Sequence, residues 1–426
     1  MPEHASDKAL STEAAAGGDD AIVAVRGTTC LTELDLRGHI ASLLELPNVA
    51  VLLGAGASKT AGCKTISEIQ EKLKKAITED KTLEASAELL RQSRIPLDDV
   101  ERTWSILTNL GALNQSGRSV VEKQLADAAE KYEGTLLRSL LDSAQADQSK
   151  TGTHRSLLRK LVLSRQPGQP APWVFTTNYD LAVELAAEEE GILIVNGFSG
   201  LHQRSFDPRL FDLGWYSTAA RGEARFGTIY AYLAKLHGSL SWTETQGEIA
   251  EQSREMAMSA IEAFKKDTSR QCPCVLIPPS AGKYLDTVGF IQGEMFRRLA
   301  EFVDRSNTCL LVCGYSWSDA HLDRLLLGGL RNPTFHLLVT VYGCEVDKNG
   351  CLKGQNAGDR LNKLNDLKHP NVTIVAGAPA DFENLVKCLP DPALLDEQAR
   401  DTERRVRELV MYMGRTGTKG GGSGNS

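Results

Sequence analysis

Short apolar runs and longer stretches of helical period alternate through most of the chain. The runs "NVAVLLGAG" (48–56), "PWVFTTN" (172–178), "GILIVNG" (191–197), "CVLIPP" (274–279), "TCLLVCGYS" (308–316), "TFHLLVTVYG" (334–343) and "NVTIVAG" (371–377) are rich in Val, Ile and Leu. They show little apolar–polar alternation, which predicts parallel strands covered on both faces. Between them, the stretches 180–190, 285–304, 319–330 and 357–368 have helical spacing. Strand and helix in repeated turn predict an α/β fold: a doubly wound, mostly parallel sheet that takes ligands at the carboxyl ends of its strands.

The stretch 66–165 breaks that rhythm. It has few β-branched runs and is helical in spacing nearly throughout, as at Val100, Trp104, Leu107 and Leu110. It predicts a helical insertion between the first two of these strands. The start is polar and the last residues, "GTKGGGSGNS", are a Gly/Ser tail. The expected division is an unstructured start over 1–25 and one domain over 26–390 carrying the insertion at about 66–165. A helix over 391–413 and a flexible tail over 414–426 complete it.

Composition narrows the function classes. The chain has 426 residues, of which 42% are hydrophobic and 24% charged, with a net charge of −7. That balance lacks the electrostatic footprint of a dedicated nucleic-acid binder. The 9 cysteines are odd in number and irregularly spaced, which argues for a reducing compartment rather than a disulfide framework. No Cys-x-x-Cys pair occurs, so no metal is expected. The first residues lack a basic start followed by an apolar core, and no apolar run reaches the ~18 residues of a membrane span. A cytoplasmic location is the expectation.

The candidate chemistry begins at "VLLGAGASKTAG" (51–62). Lys59 and Thr60 suggest a triphosphate loop, but Ser58 and Leu53 stand where its glycines belong, so that reading fails. Gly54 and Gly56 follow a strand and precede a helix, as in a dinucleotide fingerprint, although Lys59 takes the third glycine's place. Backbone without side chains can approach a pyrophosphate there, with Ser58 adding a hydroxyl. A purely structural strand–helix turn explains this loop equally well.

Three further strand ends bear on the choice. "FTTNYD" (175–180) offers Asn178 and Asp180, "KLHGSLSW" (235–242) offers His237 before Gly238, and "VCGYSWSD" (312–319) offers Gly314, Ser316 and Asp319. Singly, each has a plain explanation; Asp180, for example, suits the cap of the following helix. Together they describe a nucleotide site.

In this order, "GAGAS", "AGCKT", "TTNYD", "KLHGS" and "GYSWSD" resemble the sirtuin-like NAD-binding superfamily, nearest its bacterial antiphage branch. The segments 99–107 and 275–284 are similar to that branch too, so the likeness spans roughly 45–335. Departures are Ala61-Gly62-Cys63-Lys64, Thr177 in place of the deacylases' Gln, and His321 where an acidic residue is commoner.

The resemblance implies a Rossmann-like sheet with NAD as substrate. Gly54, Ala55, Gly56 and Ser58 would seat the pyrophosphate, with Thr177 beside them, and Gly314 and Ser316 would hold the adenosine ribose. Asn178 would order the attacking water and Asp180 would bind the carboxamide. His237, of a residue type that titrates near neutrality, would accept a proton. The cysteines of the deacylases' zinc module are missing, so water is the expected nucleophile and an NAD glycohydrolase the expected enzyme. A deacylase and an idle NAD-sensing or ADP-ribose-sensing scaffold are the alternatives. The same resemblance implies a HerA-type ATPase partner and a homo-oligomer, with nucleic acid met only through the partner.

Overall fold

The structure, a computed structural model, describes residues 21–112, 120–166, 168–215, 229–245, 247–268, 271–277, 288–354 and 358–392. A nine-stranded sheet runs through it. The strands are β1 (Ile22–Arg26), β2 (Thr29–Thr32), β3 (Asn48–Leu53), β4 (Trp173–Thr176), β5 (Leu193–Val195), β6 (Tyr230–Lys235), β7 (Thr308–Cys313), β8 (Phe335–Thr340) and β9 (Val372–Val375). Their spatial order is β2-β1-β9-β8-β7-β3-β4-β6-β5. From β9 to β5 every neighbouring pair is parallel; β1 and β2 close one edge antiparallel.

Besides the single turn of helix Ala55–Ser58, the α-helices are α1 (Glu33–Leu44), α2 (Ile66–Glu79), α3 (Lys81–Gln92), α4 (Val100–Ala112), α5 (Val120–Ser143), α6 (Gly152–Leu163), α7 (Ala182–Glu190), α8 (Arg254–Lys266), α9 (Val288–Asp304), α10 (Ala320–Gly329), α11 (Asp359–Asp366) and α12 (Phe382–Cys388). Local chemistry starts several of them. Thr32 with Asp35 and Thr65 with Glu68 form reciprocal capping boxes at α1 and α2.

Alternate residues of each central strand feed two cores. Ala50 and Leu52 of β3, with Leu310 and Val312 of β7, face α9, α10 and α11. Val49, Val51 and Leu53, with Cys309 and Leu311, face α1, α6, α7 and α12. Both faces are apolar, which is why the sequence shows runs instead of alternation. The doubly wound sheet predicted from the sequence is the fold observed.

Three details differ from the sequence reading. Residues 22–25, assigned to the unstructured start, lie in β1, where Ala24 pairs with Val375. An edge strand of this length takes its order from its partner, which local pattern cannot show. In the run 274–279, of which 278 and 279 lie outside the described residues, Val275–Leu276 pairs with Gly238–Ser239 in a two-stranded sheet separate from the main one. The helix α6, grouped with the insertion, packs its Leu157, Leu158 and Leu161 on the main sheet. Helical period reports an apolar face but not what covers it. The insertion proper, α2 to α5, has its own core around Leu73, Leu90, Trp104 and Tyr132. Residues 1–20 and 393–426, with the expected C-terminal helix and tail, lie outside the described residues.

The order of connections decides where a ligand can sit. From β3 the chain moves to β4 on one side of the sheet, and later returns to β7 on the other. The carboxyl ends of β3 and β7 therefore flank the switch point, where open α/β sheets form their crevice.

Candidate active site at the switch point of the sheet

Leu53 and Cys313 end β3 and β7 in register with each other. The chain turns outward from both, and the two turns touch backbone to backbone. The N–H of Gly54 donates to the Cys313 carbonyl and that of Gly56 to the Gly314 carbonyl, each at 2.9 Å. A Cβ on Gly54 would lie 2.4 Å from the Gly314 oxygen, and one on Gly314 2.3 Å from the Ala57 nitrogen. Gly314 also sits at φ +67°, the region that disfavours side chains. These glycines are needed for the turns to meet. The Gly54 and Gly56 amides, in the loop read from the sequence as the pyrophosphate seat, are committed to the neighbouring turn. Ala55, Gly56 and Ser58 line the cavity above, and Gly54 is buried beneath it.

Asn178 and Asp180 follow β4. Asn178 Nδ2 donates to the Gly54 carbonyl at 2.8 Å and to Ser58 Oγ at 2.7 Å. Both amide protons are thus held by the glycine turn, and Oδ1, an acceptor, is the side-chain atom left for a ligand. Asp180 is buried and lines the cavity, and its Oδ1 accepts from the Ala182 N–H at 2.9 Å; the N-cap residue of α7 is Leu181. Burial, and then the Asp180 charge, push the Cys63 thiol far above its ordinary range, so Cys63 is an inert wall residue. Beneath them the buried Lys235 ammonium bonds the Asp180 carbonyl and lies 2.8 Å from Glu184. Thr177 lines the same cavity, its N–H fixed to the Leu53 carbonyl at 3.1 Å.

His237 follows the strand β6, two residues past Lys235. Gly238, at φ +92°, lets the chain bend there against Val275. The ring Nε2 lies 3.0 Å from Asp319 Oδ2, with both side chains buried. Asp319 Oδ1 meanwhile accepts from the His321 and Leu322 N–H groups at the start of α10. Burial alone would raise the Asp319 carboxyl, but the His237 contact and these two amides outweigh it and hold it below its ordinary value. An ionised carboxylate only accepts, so Nε2 carries a proton and the neutral ring keeps its lone pair on Nδ1. Ser316 is exposed on the rim, 2.8 Å from Ser318 through the hydroxyls.

The insertion supplies the facing wall. Glu101 and Trp104 of α4 line the cavity with His237, Asn178 and Ser316. Burial raises the Glu101 carboxyl, against the opposing pull of the His237 ring and the Ser318 hydroxyl. Trp104 packs edge-on to Tyr179, with ring centroids 6.3 Å apart. The cavity measures about 760 Å³, within the range of cofactor sites. Among the described residues no three His, Cys, Asp or Glu side chains group as metal ligands.

The sequence-predicted residues thus converge on one cavity from four strand ends. Sequence reasoning missed how Asp319 serves the site. It was noted only as a strand-end polar group, and its bond to His237 crosses 82 residues. It also missed Glu101, although "DVERTWSIL" had stood out as a segment.

Residues 172–340 match the family model of the SIR2-like domain. The match supports placement in the sirtuin-like superfamily and an NAD-using function in general. It starts after the glycine turn, which Asn178 ties to the matched region through Gly54 and Ser58. No curated protein matches the chain.

Proposed function

We propose that this chain hydrolyses NAD at the nicotinamide–ribose bond, giving nicotinamide and ADP-ribose. The observation that carries the reading is the meeting of Asn178, the His237–Asp319 pair and the glycine turn in one cavity. The pyrophosphate would lie along Ala55–Ser58 and the adenosine ribose beside Gly314 and Ser316, with Asp180 toward the carboxamide. As nicotinamide departs with the electrons of the N-glycosidic bond, the ribose carbon becomes oxocarbenium-like. A water oriented by Asn178 Oδ1 then bonds that carbon and gives its proton to His237. The Asp319 carboxylate stabilises the imidazolium that results. Asn178 is an amide and cannot serve as the base. The cysteines of the deacylases' zinc module are missing and the helical insertion lines the site instead, which supports water over an acyl-lysine chain as the nucleophile.

Chromatography of nucleotides after incubation with NAD, with and without an acetyl-lysine peptide, tests this. Nicotinamide and ADP-ribose are expected without peptide, and none from Asn178→Ala or His237→Ala. Asp319→Asn is expected to lower kcat by about 10²-fold or more, since the amide no longer fixes the His237 tautomer, while NAD affinity changes little. Release only with peptide would establish a deacylase. Binding without turnover would leave the sensing scaffold.

Control by a HerA-type ATPase, homo-oligomeric assembly and NAD depletion in antiphage defence are the finer parts of the proposal. They rest on the motif resemblance. Sizing the chain alone and with that ATPase, followed by the same NAD assay, tests them.

A further inference from the structure

A second cavity, of about 430 Å³, lies within the insertion. Leu73 and Ile77 of α2, with Ile95 from the connection into α4, give it an apolar floor. Tyr132 of α5 also lines it, fully buried, and its hydroxyl has no hydrogen-bond partner among the described residues. The other well-covered tyrosines behave differently: the hydroxyls of Tyr179, Tyr232 and Tyr315 all donate to oxygens of the protein. A buried hydroxyl that has given up water without a replacement is an exception that calls for a cause.

The rim is basic. Lys74, Arg91 and Arg94 line it, against Asp98 as its one acidic lining residue. Arg91 reaches Glu88 at 3.4 Å, whereas Lys74 and Arg94 have no ion pair among the described residues. We propose that this cavity binds a small organic anion. A flat apolar body would lie on Leu73, Ile77 and Ile95, with an acceptor atom at the Tyr132 hydroxyl. A phosphate or carboxylate head would sit among Lys74, Arg91 and Arg94. Burial pushes the Tyr132 phenol up to about 12, so it stays protonated and able to donate.

The two cavities share their walls. The helix α2 lines this one with Leu73 and Ile77 and the candidate active site with Ile66 and Ile69. The connection through Ile95 and Asp98 runs directly into Asp99, Val100 and Glu101, which line the active-site cavity beside His237. An occupant that orders 95–98 therefore acts on where Glu101 stands. On the NAD-hydrolysis reading, on which this last step alone rests, the insertion carries a regulatory site for the enzyme.

Calorimetric titration of the full chain with phenyl phosphate, beside inorganic phosphate and phenol, tests the proposal. One saturable site is expected for phenyl phosphate, tighter than for either fragment. Arg94→Glu, an exposed substitution, should weaken it by about tenfold or more. Tyr132→Phe keeps the packing and should weaken it by about threefold or more, with thermal stability unchanged or higher because an unpaired hydroxyl is gone. Hydrogen exchange over 95–104 should slow on binding. Failure to saturate, binding no tighter than that of inorganic phosphate, or equal binding by both variants overturns the site. Binding without slower exchange overturns the coupling. Neither readout needs NAD turnover, so an inactive chain would count against the hydrolase reading and leave this one to be judged by itself.

Discussion

His154 sits on α6 with its ring buried edge-on against Phe382, centroids 5.0 Å apart, and neither ring nitrogen has a partner among the described residues. Burial, opposed by the Asp180 charge, lowers its pKa from 6.5 to about 4. The folded chain thus resists protonation that the unfolded chain accepts. Stability attributable to this residue is fully present above about 6.5 and is lost as the pH falls toward 4. The slope reaches at most about 1.4 kcal/mol per pH unit. His154→Met should cost less than about 1.5 kcal/mol at pH 7, since no hydrogen bond is broken. Urea unfolding at several pH values should then show a flatter dependence for the variant between those limits. Parallel curves for the two proteins would mean that His154 is solvated and that the burial argument fails.

At the scale of elements, the insertion is held in two ways. Its core around Leu73, Leu90 and Trp104 is separate from both cores of the sheet. Its links outward include Trp104 against Tyr179, Leu141 of α5 packed with Leu240, Ile261 and Phe264, and Asp142 of α5, which holds Lys265 of α8 at 3.0 Å as well as Lys72 within the insertion at 2.9 Å. Those two lysines draw the Asp142 carboxyl down to about 2. The site residue Glu101 stands on the same helix as Trp104, so the insertion's packing and the cavity wall are one matter. Trp104→Ala removes a side chain only 4% exposed and should cost roughly 3–5 kcal/mol within the insertion. Unfolding followed by far-UV dichroism should then separate into an early phase for the insertion and a later one for the sheet. A single transition, merely shifted, would show that insertion and sheet unfold as one unit.

Across the whole molecule, stability should be graded from the centre of the sheet outward. Leu52 of β3, Leu310 of β7 and Leu337 of β8 are all at most 1% exposed and have parallel neighbours on both sides. Native-state hydrogen exchange is expected to be slowest in these strands and faster in α2 to α5, with β1 and β2 between them. The candidate site lies where the most rigid strands end, which fixes Asn178 and the glycine turns. Its other wall comes from the less protected insertion, so that side is the one able to respond to a ligand or partner. Uniform protection across sheet and insertion would contradict that division.

The sequence by itself determined the alternation of buried strands and helices, and with it the doubly wound sheet, because burial on both faces writes itself into local runs of Val, Ile and Leu. It also determined which strand ends carry glycines and polar groups. Gly54, Asn178 and Gly314 were legible because each closes such a run, and His237 because it stands before Gly238 in "KLHGS". Other matters were decided only by the tertiary structure. Asp319 became the partner of His237 and α6 a helix of the sheet; β1 found its order on β9, and Glu101 reached the cavity from the insertion. Each depends on contacts between segments far apart in the chain. A local pattern records that a residue is covered, but the identity of what covers it is set by how the whole chain packs.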